Sequence, residues 1–206
     1  MKKLVLLGMA AFVLGACGNS STEEAKADDT SSTEQTAATE SSATSEQGKR
    51  SNPYTLADTF EMAVQYTDPD SDDFETIDGR IKVTFNEVTL GQEAQDFLLS
   101  ENEFNEEAPE GYQWAVFDTS VELLEGSEDV PFNLFLTETV YDGEGSSVDN
   151  MMASGYSNNQ LSDQSIFPGA VAQGNIVLLV PENIDGSLME MSYLGGGDTV
   201  YVDLSK

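Results

Sequence analysis

The chain has 206 residues, with 38 Asp or Glu against eight Lys or Arg, no histidine and one cysteine, for a formal net charge of −30. An acid excess of this size excludes nucleic acid as a partner, since that binding rests on neutralising phosphates with Lys and Arg, and it opposes direct docking on anionic lipid headgroups. Without histidine, and with a single thiol, Ser-His-Asp and Cys-His catalysis, the usual zinc sites and an internal disulfide are excluded as ordinarily built.

Residues 1–16 open with Lys2 and Lys3, followed by an apolar run over 4–14. The run is too short to span a bilayer as a helix and has the length of a signal-peptide core. It ends in Leu14-Gly15-Ala16-Cys17, which resembles the lipobox of bacterial lipoproteins: an aliphatic residue, two small residues, then cysteine. Small side chains let an extended backbone enter a narrow peptidase site, and the thiol takes up the diacylglyceryl group. The resemblance implies that residues 1–16 are removed and that Cys17 carries the lipid, with two acyl chains sufficing for stable anchoring where one does not. The expected location is the extracellular face of the cell membrane.

Residues 17–52 read as the lipidated cysteine and a disordered tether. Over 18–52 there are 14 Ser or Thr among 35 residues and no aromatic, Leu, Ile or Val, too little apolar surface to offset chain entropy. A flexible chain of that length reaches on the order of 30 Å.

Residues 53–206 are long enough for one domain with a substantial core, and their only bases are Arg80, Lys82 and Lys206. The acid excess has two readings, general solubility or capture of cations or of a basic partner. Period-two alternation predicts half-buried strands. The first falls somewhere in 55–66. Residues 80–90 place Ile81, Val83 and Phe85 on one face. Residues 112–124 place Ala115, Phe117, Thr119, Val121 and Leu123 on one face, with Trp114 and Val116 on the other. Residues 131–141 set Phe132, Leu134 and Leu136 together before a turn at Tyr141-Asp142-Gly143. The apolar run 175–180 closes at Pro181, and strands over 187–194 and 198–204 are joined by Gly195-Gly196-Gly197. One short helix is expected, over 93–100. Seven short strands with turn signals between them define an all-β chain, a β-sandwich.

The segments Gly111-Tyr112-Gln113-Trp114-Ala115-Val116-Phe117, Tyr141-Asp142-Gly143, Ile166-Phe167-Pro168-Gly169 and Gly174-Asn175-Ile176-Val177-Leu178-Leu179-Val180-Pro181 resemble a family of uncharacterised domains found in Gram-positive lipoproteins. The resemblance implies an immunoglobulin-like sandwich related to small secreted mycobacterial antigens. It carries over no catalytic residues.

One acidic cluster has metal-ligand spacing: Asp68-Pro69-Asp70-Ser71-Asp72-Asp73-Phe74-Glu75. Asp68, Asp70, Asp72 and Glu75 could converge on a Ca²⁺ ion, which takes six to eight oxygens. Asp73 stands where an EF-hand needs glycine and Gly79 where it needs glutamate, so a true EF-hand is excluded. A loop of solvated carboxylates is the simpler reading. The run 101–110 reads as a solvated acidic insertion. Met151-Met152 is either an adaptable contact or packing, and Trp114 with Tyr112 is either a stacking platform or core. The expected function is a non-enzymatic binding module on a lipid anchor, with a protein of the envelope as partner and no cofactor unless Ca²⁺. The alternative is a ligand or Ca²⁺ carrier, or an accessory subunit, serving an envelope transporter or enzyme. Mass spectrometry of the native N-terminus should find a chain that begins at diacylglyceryl-modified Cys17; an unmodified thiol or another start refutes the anchor.

Overall fold

A computed structural model describes residues 47–71, 74–150 and 155–206. The expected signal segment, Leu14, Gly15, Ala16 and Cys17, and the tether up to residue 46 lie outside the described residues.

Alternation does what the sequence leads one to expect. After β1 (Tyr54–Thr55), β2 (Thr59–Thr67) buries Phe60, Met62, Val64 and Tyr66 and exposes the residues between them. β3 (Thr76–Leu90) runs antiparallel to it, and a register shift between Phe85 and Glu87 marks a bulge. An 11-residue helix α1 (Gly91–Glu101) follows, burying Ala94, Gln95 and Leu98. β4 (Tyr112–Glu125) returns beside β3; its residues 114–117 are all buried because α1 packs on the outer face of the strand while the sandwich core takes the inner one.

The segment 131–141 is two strands rather than the single one expected. β5 (Phe132–Asn133) pairs with β7 (Ser165–Ile166), while β6 (Leu136–Tyr141) joins a different sheet. Two tight backbone bonds make the step between them, from Phe135 N–H to Asn133 O and from Leu136 N–H to Leu134 O, both 2.9 Å. β8 (Val171–Pro181) starts earlier than its apolar run, since its first residues alternate. β9 (Leu188–Tyr193) and β10 (Thr199–Asp203) form the last hairpin.

The strands make two principal sheets, β2-β3-β4-β8 and β1-β10-β9-β6. The all-β, immunoglobulin-like sandwich of about seven strands therefore stands, with seven strands longer than two residues divided four against three. The strand order has its own character. In constant-type immunoglobulin domains the third strand lies with the last two; here β4 stays beside β3, and β6 takes that place.

One side of the sandwich is sewn shut. Gln65 N–H donates to Gly196 O and Asp198 N–H to Ala63 O, both at 2.9 Å, so the β9–β10 hairpin caps the free edge of β2. Gly196 and Gly197 have φ of 114° and 120°, which favours glycine. A Cβ on Gly197 would also run into the Ala63 carbonyl. On the other side the edge strands β6 and β8 are not paired, and Leu161, on a 3-10 turn (Leu161–Asp163), fills part of the gap.

The folded unit also takes in residues 47–52, which composition assigns to the tether. Gly48 is buried, its carbonyl accepts from Tyr201 N–H at 2.8 Å, and Arg50 lies 5.8 Å from the Tyr141 ring centroid. Tyr141 and Tyr201 both donate to Glu190 Oε2, at 3.2 and 2.6 Å.

Phe132 is fully buried where the sheets meet, with its ring 5.2 Å from Tyr66 and 4.9 Å from Tyr193 between centroids. Phe132→Ala should cost about 3–5 kcal/mol in urea unfolding of the full-length chain. Phe135→Ala, three residues on and half exposed, should stay within about 0.5 kcal/mol.

Candidate functional site

The strand registers bring a set of connections to one end of the sandwich: the β2–β3 loop, the β4–β5 turn, residues 134–135, the β7–β8 turn and the β9–β10 hairpin. Among the described residues, five of the nine exposed large hydrophobics lie here: Phe74, Phe135, Phe167, Val171 and Leu194. Tyr66 and Tyr193 floor a groove of about 320 Å³ walled by Phe135, Leu194 and Pro69. Leu194 N–H donates to Phe135 O at 3.0 Å, holding these two residues side by side. The same connections carry Asp68, Asp70, Glu75, Glu128, Asp129 and Asp198 and no Lys or Arg. This end is an apolar crown set among carboxylates.

The expected metal loop is part of that crown. Asp68 Oδ1 accepts from Asp70 N–H at 2.9 Å, the geometry of an Asx turn. Phe74 sits at φ 50° and is exposed. Asp72 lies outside the described residues, and among those described no three His, Cys, Asp or Glu gather as a metal-holding group. Asp68 and Asp70 are linked by that short-range turn, and the expected set with Asp72 and Glu75 falls partly outside the described residues.

Trp114 is core: 2 % exposed, with its Nε1–H donating to Glu106 O at 2.9 Å. Glu106 O also accepts from Gln95 Nε2 at 3.2 Å, and Glu101 Oε2 from Asn158 N–H at 3.0 Å. The acidic run 101–110 is therefore a cover over the Trp114 face of the sheet, and not simply a solvated insertion. Tyr112 is exposed and lines a polar groove beside α1 together with the buried Trp114. Met151 and Met152 lie outside the described residues.

A second place, which sequence reading passed over, is Glu138. Leu136, Glu138 and Val140 share one face of β6, and Val140 is fully buried, so Glu138 points between the sheets. It lines a cavity of about 130 Å³ with Leu134, Leu136, Leu161, Ile176 and Leu178. Glu138 keeps partial exposure, and Gln160, Ser162 and Asn175 add polar groups to the lining. Burial pushes the carboxyl up to about 7, opposed in part by its own backbone N–H. No cation pairs with it among the described residues, where Arg80 is held by Glu61 and Glu125, Lys82 by Glu122 and Lys206 by Asp203.

Fold and surface together define an acidic β-sandwich domain whose loop end is apolar. The chain belongs to the family described as Domain of unknown function (DUF4352), whose family model matches residues 74–199. That span runs from the end of the acidic loop into β10. No curated protein and no solved structure matches the chain.

Glu138 sets a pH dependence. Its folded pKa near 7 exceeds the ordinary 4.5, so between those values the folded state holds the extra proton and stability falls as pH rises. Glu138→Gln should remove that slope and raise stability at pH 8 by about 3 kcal/mol, while leaving stability at pH 4 unchanged, as read from urea midpoints of the two proteins across pH.

Proposed function

We propose that this protein is a non-enzymatic binding module, held on the extracellular face of the cell membrane by lipid on Cys17, that docks a basic protein of the envelope through the crown. The observation that carries the reading is the concentration of exposed apolar side chains at one end, Phe135 and Leu194 among them, within loops that contain carboxylates and no cation. Exposed apolar patches mark contact surfaces, and loops on a rigid sandwich are where recognition sits. The charge selects the occupant. A partner segment that offers Lys or Arg around an apolar anchor gains on both counts, whereas an anionic membrane surface is repelled. The lipobox-like Leu14-Gly15-Ala16-Cys17 and the Ser- and Thr-rich stretch behind it support display on a tether in a Gram-positive envelope. The lack of histidine and the commitment of the one cysteine to lipid support binding without catalysis.

The test uses the full-length protein in detergent and two fluorescent peptides, one alternating Lys with Leu and one alternating Glu with Leu. The Lys peptide should bind saturably, more weakly as NaCl rises, and about tenfold more weakly, or 1.4 kcal/mol, to a Phe135→Ser, Leu194→Ser variant. Equal binding of both peptides, or an unaffected variant, refutes the crown as the docking surface.

A further inference from the structure

We propose that the gap between β6 and β8 is a binding site for a primary ammonium group on a short apolar stem, with the Glu138 carboxylate as its counter-ion. This goes beyond the crown and does not depend on it.

The gap exists because two edge strands face each other without pairing. On β8, Asn175 N–H donates outward to Asn159 O at 2.7 Å and Leu179 N–H to Asn150 Oδ1 at 2.6 Å. Peptide groups of a strand alternate in direction, so the peptide of Val177, midway between, turns to the same edge. On β6, Val140 O accepts from Val148 N–H at 2.8 Å. By the same alternation the peptide of Glu138 turns to its edge, where its N–H meets its own carboxylate. The cavity therefore offers a carboxylate and edge carbonyls at one level, with Leu134, Leu161 and Ile176 as apolar wall.

Three features fix the ligand class. The volume, about 130 Å³, holds a few heavy atoms. Part of the wall, from Leu134, Leu136, Leu161, Ile176 and Leu178, is apolar, which suits a methylene stem, while Gln160, Ser162 and Asn175 make the remainder polar. The one ionisable group in the lining is a carboxylate; the residues facing it from β8 and from 155–162 are Ile176, Val177, Leu178, Gly155, Gln160, Leu161, Ser162 and Asn175, none of them titratable. An ammonium is a compact charge with three donors and no acceptor, so it can meet the carboxylate and edge carbonyls together. An inward carboxylate without a cation is costly to keep ionised, and an ammonium removes that cost. Binding should then tighten as pH rises through 7, where the empty site's carboxyl ionises, since the amine itself stays charged to about pH 10.

The test is methyl and side-chain carboxyl NMR of the full-length chain at pH 8, titrated with n-butylammonium chloride against tetramethylammonium chloride at equal ionic strength. Saturable shifts at Leu134, Leu161 and Ile176 with butylammonium are expected, together with a fall of the Glu138 pKa from near 7. Tetramethylammonium, which has no N–H donor, should produce neither. E138Q should weaken the response at least tenfold while keeping the methyl pattern of the folded protein, and E138D should retain part of it. Absence of a saturable shift, an equal response to tetramethylammonium, an unmoved Glu138 pKa, or an equal response in E138Q overturns the proposal.

Discussion

Phe132 belongs to neither principal sheet, yet both lean on it. Its ring meets Tyr66 of β2 edge-on and Tyr193 of β9 at a tilt, and the Tyr66 hydroxyl accepts from Ser127 N–H at 2.8 Å, bringing in the β4–β5 turn. Strands from both layers and one connection thus converge on a single buried side chain. Aromatic pairs of this kind contribute about 0.5–1.5 kcal/mol beyond the area they bury. The larger effect is geometric. The rings that close the core at this end are the floor of the crown, so the same contact that joins the layers sets the height and spacing of Phe135 and Leu194 above it.

The two open sides of the sandwich are handled differently. Where β2 meets the last hairpin, glycine permits backbone contact and the edge disappears into hydrogen bonds, removing a template for unwanted strand pairing. Where β6 faces β8, no such seam forms, and an inward carboxylate occupies the space. The wider charge balance sharpens the difference. Arg80, Lys82 and Lys206 are held in ion pairs and Arg50 lies over Tyr141, so the surplus carboxylates are left to solvent, salt or a partner. Self-repulsion of this kind weakens a compact state.

Much of the sandwich is legible in the alternation of β2, β3, β4 and β9, because a half-buried strand must place apolar residues at every second position. The helix is found within a turn of its observed limits. The step at Leu134 and Phe135 is not visible, since Phe132, Leu134 and Leu136 keep their alternation straight through it. That same alternation, carried two residues further, places Glu138 inside; the signal is present, and reading strands by apolar residues alone passes over it. Residues 47–52 are misjudged for another reason: Gly48 and Arg50 are held by Tyr201 and Tyr141, and composition carries no trace of partners so far along the chain. The crown is invisible for the same cause, because Phe74, Phe135, Phe167 and Leu194 come together only through strand topology.

The clasp around residues 47–52 also determines how the domain bears load. Arg50 sits by Tyr141 and Gly145, and Tyr54 stacks on Phe60; both places lie at the end of the strands remote from the crown. A hold on the chain before Gln47 and a hold on the crown therefore grip opposite ends of the sandwich. Between them stands the parallel pairing of β1 with β10, Tyr54 opposite Val202. Force along that line runs parallel to the strands, and this two-residue pairing, with the bond from Tyr201 N–H to Gly48 O, joins the entering chain to β10.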